Sequence, residues 1–241
     1  MNILTADFHT HILPRIDDGC RSIEESVEMI QLEVAQGIRT IFLTPHFHAQ
    51  HSNPKLFVEN RRDSLSKLMT AFADNFEVPN LILGAEVSYC PGMGKWEELN
   101  MLTLGESGCI MIEMPVGNWG EHVFHDLETI YYERGIIPII AHIERYFSLY
   151  RLNKVLQRLS DLPVLIQCNC DFICNKRTRK LALKLLSSKK IHIIGSDCHS
   201  ASWRAPNIQN ARNVLLQYAD ASTLSFLSEI EAMVVQGNTR R

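Results

Sequence analysis

Ile136-Ile137-Pro138-Ile139-Ile140-Ala141-His142-Ile143-Glu144-Arg145 is an apolar run that stops on a histidine, with a carboxylate and a guanidine in the next three residues. Ile136–Ala141 reads as a strand of a parallel sheet, because strands covered on both faces are continuous Ile/Val/Leu runs rather than alternations. The same form recurs outward in both directions. Ile3–Phe8 is followed by His9-Thr10-His11 and Asp17-Asp18-Gly19, Thr40–Leu43 by Thr44-Pro45-His46, Leu81–Gly84 by Ala85-Glu86, and Cys109–Ile112 by Glu113. Val164–Cys168 is the sixth strand; the seventh, His192–Gly195, is followed by Ser196-Asp197-Cys198-His199. Six of the seven strands thus deliver an imidazole or a carboxylate at the C-terminal end.

Between the strands lie helical patterns. Ser22-Ile23-Glu24-Glu25 is a capping box, and Val27, Ile30 and Val34 follow at helical spacing before Gly37. Further helices are expected at Pro54–Ala73, Glu121–Arg134, Leu152–Leu159, Thr178–Ser188, Ile208–Tyr218 and Ser222–Gln236. Strands alternating with helices define an α/β fold with a parallel sheet, either a closed barrel or an open doubly wound sheet. No linker, repeat or low-complexity stretch interrupts the pattern, so one domain over residues 1–241 is the simplest organisation.

The 241 residues carry 24 Lys and Arg against 27 Asp and Glu, a net charge of −3, which leaves no cationic surface for neutralising nucleic-acid phosphates. No apolar run approaches the roughly 18 residues that a membrane span needs, and the first residues lack the form of a signal peptide. A cytoplasmic protein without membrane insertion is expected. Seven cysteines, several of them in apolar segments, fit reduced thiols better than a disulfide framework.

In a parallel barrel the strand C-termini share one face, where such folds place their active sites. The nine side chains that meet there are His9, His11, Asp18, His46, Glu86, Glu113, His142, Asp197 and His199. Neutral imidazole and carboxylate oxygen are ligands for Zn, Mn and Fe, and nine exceed the needs of one ion. A cluster of two or three ions is implied. A single histidine at a strand end is more often a structural residue; the recurrence at successive strands carries the metal reading. His48, His51, His122, His125 and His192 are taken as surface or packing residues, with His48 and His51 close enough to line a cleft.

His9-x-His11, Asp17-Asp18-Gly19, Thr44-Pro45-His46, Gly84-Ala85-Glu86, Ala141-His142-Ile143-Glu144-Arg145-Tyr146 and Gly195-Ser196-Asp197-x-His199 together resemble the PHP (polymerase and histidinol phosphatase) superfamily. Within it the chain looks most like the bacterial manganese-dependent protein tyrosine phosphatases of capsule and exopolysaccharide systems, from about Asp7 to Arg204. The resemblance implies a distorted (β/α)7 TIM-like barrel holding three divalent ions, Mn first, with Fe, Co or Zn as alternatives. It implies that one ion takes His9, His11, Glu86 and Asp197, a second shares Glu86 and adds Glu113 and His142, and a third takes Asp18, His46 and His199. Arg145 and Arg204 match positions that bind the phosphate. The implied substrate is a phosphotyrosine protein, the tail of a tyrosine autokinase, attacked directly by metal-activated hydroxide without a phosphoenzyme. Helix one and Ser222–Gln236 are candidate interface helices for a homo-oligomer.

Other readings compete. Cys198 and Arg204 satisfy Cys-x5-Arg, the nucleophile loop of thiol phosphatases, although no glycine lies between them and Asp197 would raise a thiol pKa. Cys168-Asn169-Cys170 with Cys174 suggests a zinc site but lacks a fourth ligand at finger spacing. A small phosphate ester such as histidinol phosphate is an alternative substrate, and a non-catalytic scaffold is the remaining alternative, against which all nine ligand positions are filled.

Overall fold

The computed structural model describes residues 3–72, 76–117, 119–147 and 152–237. Among the described residues, nine parallel strands form two sheets. Strands β1 (Ala6–Thr10), β2 (Thr40–Leu43) and β4 (Asn80–Leu83) make one, in the order β1-β2-β4. The other has the order β3-β5-β6-β7-β8-β9, from β3 (His46–Phe47), β5 (Glu86–Ser88), β6 (Cys109–Glu113), β7 (Ile137–Ile140), β8 (Leu165–Asn169) and β9 (Ile193–Gly195).

The two strands beyond the expected seven are continuations. β2 is interrupted at Thr44-Pro45, where proline has no N–H for a ladder, and resumes as β3. β4 is interrupted at Gly84-Ala85 and resumes as β5. Backbone bonds cross both breaks: Thr44 N donates to Thr10 O, Gly84 N to Leu43 O and Glu86 N to Pro45 O. The result is a curled parallel sheet whose last strand returns to the first, with Asp197 N donating to His9 O at 2.8 Å and His11 N to Cys198 O at 2.9 Å. The first strand also begins later than expected, because Leu4 adopts a left-handed φ of 52° that ends any extended run before it.

Alternation along the strands divides the core. Ala6, Phe8, Phe42, Met111, Ile139, Leu165 and Ile193 form a compact buried cluster, while Ile41, Ile110, Ile112, Ile140, Ile166 and Ile194 belong to the larger cluster with the helices. A register irregularity between Asp7 and Thr10 lets Phe8 pack in the first cluster while its neighbour His9 approaches Gln167.

The helices follow their expected starts. Ser22 caps α1 (Ile23–Ala35) by accepting from Glu25 N, while Glu25 accepts from Arg21 N rather than from Ser22 itself. Asn53 caps α2 (Pro54–Met69), which stops before the expected end as Thr70 turns its hydroxyl onto Lys67 O; Ala73 lies outside the described residues. Then come α3 (Glu121–Tyr132), α4 (Leu152–Ser160), α5 (Cys170–Cys174), α6 (Arg179–Ser187), α7 (Ile208–Tyr218) and α8 (Ala221–Val235). Of these only α5 was unexpected. Among the described residues no helix is long and apolar enough to cross a membrane.

Candidate metal centre

All nine side chains expected at the strand ends meet at one place. Glu86, which opens β5, is the hub: its Oε2 lies 3.1 Å from His9 Nε2, 3.3 Å from His11 Nε2 and 3.0 Å from His46 Nδ1, and its Oε1 lies 2.7 Å from His142 Nε2. Asp197 Oδ1 lies 3.6 Å from His9 Nε2 and 3.5 Å from His11 Nε2. Glu113, at the end of β6, has Oε1 3.5 Å from His142 Nε2. Asp18 Oδ1 sits 3.5 Å from both His46 Nε2 and His199 Nε2. Ligand-type atoms within 4.8 Å of one another fall into three overlapping groups: His9, His11 and Glu86; His11, Asp18, His46 and His199; and His46, Glu86 and Glu113. This grouping differs from that implied by the resemblance in giving His11 and His46 to two groups each.

Local backbone geometry explains how the motifs hold this shape. A Cβ on Gly19 would fall 2.0 Å from His11 O, and one on Gly195 would fall 2.6 Å from His9 Cβ. Both motif glycines therefore exist to let neighbouring backbone press against the His9–His11 strand. His142 and Asp197 adopt left-handed φ values of 30° and 56°, a conformation uncommon for non-glycine residues.

The outer nitrogens of the imidazoles are tied down. His11 Nδ1 meets Asp17 Oδ2 at 2.6 Å, His9 Nδ1 meets Gln167 Oε1 at 3.4 Å, and His199 Nδ1 meets Asp197 O at 3.0 Å. Each acceptor fixes the proton on the outer nitrogen and leaves Nε2 to face the cluster, as metal-binding histidines require. His9 Nε2 and His11 Nε2 consequently face each other at 3.2 Å, and buried Glu86 Oε2 has no hydrogen-bond donor. These inward lone pairs fit cations.

The electrostatics agree. Burial opposes ionisation of Glu86, but the surrounding imidazoles of His9, His11, His142 and His46 hold its carboxyl well below the usual range. Asp197 is likewise held down against burial, by His9 and His11. Burial works against charge on His9 and His11 too, yet the surrounding carboxylates pull both upward. His199 is pushed down to about 4 by burial and by the charges of His11 and Arg204. The cluster calls for positive charge.

Asp17 and Asp18 take different parts. Asp17 is buried behind the cluster and accepts from His11, from His46 N and from Gly19 N, bonds that outweigh burial and hold it at about 2. Asp18 is 68% exposed and faces His46 and His199. Arg145 and Arg204 reach the rim, where Nη2 of Arg145 lies 2.7 Å and Nη2 of Arg204 2.6 Å from Asp197 Oδ2. The backbone of Ser200 pairs antiparallel with Arg204 and turns that guanidine inward without a glycine. His48 and His51 line the same cavity, and Trp203 stands exposed beside His199.

Two residues of β8 escaped the sequence reading, which assigned no polar role to that strand. Gln167 Oε1 accepts from His142 N at 2.6 Å as well as approaching His9, and Asn169 Nδ2 donates to Asp197 Oδ2 at 2.8 Å. The available signal was two amide side chains at alternate positions of an otherwise apolar strand.

The structure gives the thiol alternative no support. Cys198 is 1% exposed, its Sγ lies 3.8 Å from Glu33 Oε1, and burial with the nearby carboxyls pushes its pKa well up, so it is neither a thiolate nor accessible to substrate. Cys168 and Cys170 are buried free thiols, raised by burial, and with Cys174 they join no ligand group among the described residues.

A model of the family described as capsular polysaccharide synthesis, CpsB/CapC, matches residues 5–234. The chain is 29% identical over 242 residues to the tyrosine-protein phosphatase YwqE of Bacillus subtilis (strain 168), covering 97% of this chain and 92% of that protein. It is 28% identical over 219 residues to the tyrosine-protein phosphatase CpsB of Streptococcus pneumoniae, covering 87% and 88%. A crystal structure from the pair YwqE of B. subtilis and CpsB of S. pneumoniae, metal-dependent tyrosine phosphatases, superposes with a TM-score of 0.80 at 24% identity, over 95% of this chain and 94% of that one. Dihydropyrimidinase from Brevibacillus agri NCHU1002 shares the fold more distantly, with a TM-score of 0.54 at 10% identity over 93% and 69%. The chain belongs to the CpsB/CapC family.

Proposed function

We propose that this member of the CpsB/CapC family is a metal-dependent protein tyrosine phosphatase, a hydrolase of phosphoric monoesters. The names of its relatives support the activity. The observation that carries it to this chain is the pair of guanidinium groups, Arg145 and Arg204, meeting at Asp197 Oδ2 on the rim of the imidazole–carboxylate cluster. Two permanently charged planar forks beside a cation-seeking cluster suit a phosphoryl group, which offers several oxygens to both at once.

The whole chain, 1–241, reads as one domain and the two sheets as one distorted (β/α)7 barrel, in which β2 with β3 and β4 with β5 each count as one bent strand. The backbone bonds across the breaks and along the β9–β1 seam support that count. Histidine and carboxylate donors without thiolate fit three divalent ions, Mn foremost, with Fe, Co and Zn acceptable to the same ligands. His9, His11, Glu86 and Asp197 would hold one, Glu86, Glu113 and His142 a second, and Asp18, His46 and His199 a third. When bound, such ions supply Lewis-acid stabilisation of phosphoryl charge and an ionised water near neutral pH.

The protein's own part is positioning. Arg145 and Arg204 exchange Asp197 Oδ2 for phosphoryl oxygens and orient the ester, while Asn169 keeps its bond to Asp197 and Gln167 keeps His9 and His142 in place. A tyrosine phenolate, with a pKa of about 10, leaves with little protonation, so no dedicated acid is required. The phosphotyrosine protein is the tyrosine autokinase of a polysaccharide export system, met in the cytoplasm.

Hydrolysis of p-nitrophenyl phosphate and of a phosphotyrosine peptide, before chelation, after it and after readdition of Mn, tests the reading. Loss on chelation and recovery with Mn are expected. Activity indifferent to the chelator overturns the metal dependence, and preferential turnover of histidinol phosphate moves the substrate to small esters.

A further inference from the structure

The cavity that opens over the cluster extends well beyond it. Its volume is about 1060 Å³, at the top of the roughly 300–1,000 Å³ that enclose a drug-sized ligand. The surplus lies along α2, where Leu56, Asn60, Asp63 and Lys67 line the cavity. These positions, i, i+4, i+7 and i+11, form a single stripe on one face of the helix, and all four side chains are exposed. At 1.5 Å per residue the stripe is about 16 Å long. The second side is the segment after β1, which contributes Ile16 and Ile23, and Ser64 Oγ donates to Pro14 O at 3.0 Å to tie the two sides together.

We propose that this groove holds the polypeptide flanking the phosphotyrosine, extended along α2, and that Leu56 and Asn60 are specificity-determining residues. The inference rests on the phosphatase reading and assigns it a recognition surface. A stripe of about 16 Å accommodates about five residues of extended chain, whereas a small phosphate ester reaches none of it. The chemistry of the walls selects the occupant. Lys67 is paired with Asp63 at 2.6 Å, and Glu24 offsets Arg15 among the lining residues, so the groove lacks the net cationic charge that a polyanion such as nucleic acid needs. Leu56, Ile16 and Ile23 instead offer apolar contact for side chains of a peptide. The groove is continuous with the cluster, because His46, Asp197, His199 and both rim arginines line the same cavity.

The test compares the full chain with Leu56→Asp and Asn60→Trp, each checked for an unchanged melting temperature, in Mn-containing buffer. Substrates are p-nitrophenyl phosphate and phosphotyrosine peptides with no residue or five residues on either side. Wild type is expected to gain kcat/KM from the flanking residues. Both variants should lose about tenfold on the long peptides, the effect of a lost interface anchor, and stay within about twofold on the aryl phosphate. If flanking residues add nothing for wild type, or the variants treat long peptides as wild type does, the groove assignment is overturned. If wild type hydrolyses neither substrate, the phosphatase reading itself falls.

Discussion

Two groups of buried ligand-type side chains sit one behind the other on β1 and the loop after β9, and they behave in opposite ways. The front group is the cluster built on His9, His11, Glu86 and Asp197. The rear group is Asp7, Glu33 and Cys198, whose ligand-type atoms also lie within 4.8 Å of one another and whose side chains are all buried. In front, the imidazoles hold the carboxylates ionised against burial. Behind, burial pushes Asp7 up, and burial together with the neighbouring Asp7 charge pushes Glu33 well up, so the two carboxyls keep a proton between them. Asp7 Oδ1 spends its remaining capacity on His9 N and Ser196 N. Proximity of ligand atoms does not make a metal centre. Ionised carboxylates and an opening to solvent favour one, and only the front group has both.

The largest effect should come from the front group. Asp197→Ala or His11→Ala, assayed on an aryl phosphate with Mn supplied, is expected to lower kcat by about a thousandfold, the equivalent of several kcal/mol of lost stabilisation. Metal content of the same variants, measured by elemental analysis, should fall. An active Asp197→Ala variant with full metal content would erase the contrast between the two groups.

Removing one rim guanidine should matter less. Arg145→Ala or Arg204→Ala is expected to reduce kcat/KM by about 10 to 100-fold, one charge-assisted contact to the phosphoryl group, with Arg→Lys recovering only part. Unchanged kcat/KM would return these residues to surface ion pairing.

The rear group is sharpened through stability. Glu33→Ala, which strips Asp7 of its partner, should cost about 1–3 kcal/mol in chemical denaturation. The folded pKa of Glu33 lies above its unfolded value of about 4.5, so its stabilising contribution is complete below that pH and is lost as pH rises through the folded value. Wild-type stability should therefore carry a component that declines with rising pH above about 4.5, and Glu33→Gln, which cannot ionise, should flatten it. A component that instead declines as pH falls would mean that the rear carboxyl is ionised like those in front.

The smallest effect belongs to Cys198→Ser, which should leave kcat within about twofold because the thiol faces Glu33 and not the cavity. A dead variant would revive the thiol loop.

Much of the site could be read from the chain because strand ends are local features: an apolar run followed by His or Glu marks both the strand and the face it delivers. Glu86 and His142 are of this kind. Asp18 and Asp17 part in the structure, the former exposed beside His46 and the latter bonded to His11 Nδ1. What could not be read was set by long-range packing. Pro45 divides β2 from β3 although the chain continues in the same direction. The apolar Cys-Asp-Phe-Ile-Cys stretch forms the short α5 with no capping side chain to announce it. Gln167 and Asn169 act on residues of other strands, so their roles appear only once β8 stands beside β7 and β9.

Gly19 and Gly195 have no side chain to offer as a ligand, yet any larger residue at either would wedge apart the backbone that carries His9 and His11. In a saturation mutagenesis map these two glycines should be as intolerant as the imidazoles they abut. A motif search that scores them is therefore detecting the thickness of a backbone layer, and a scaffold engineered to host this centre would have to reproduce that thinness before any of its ligands.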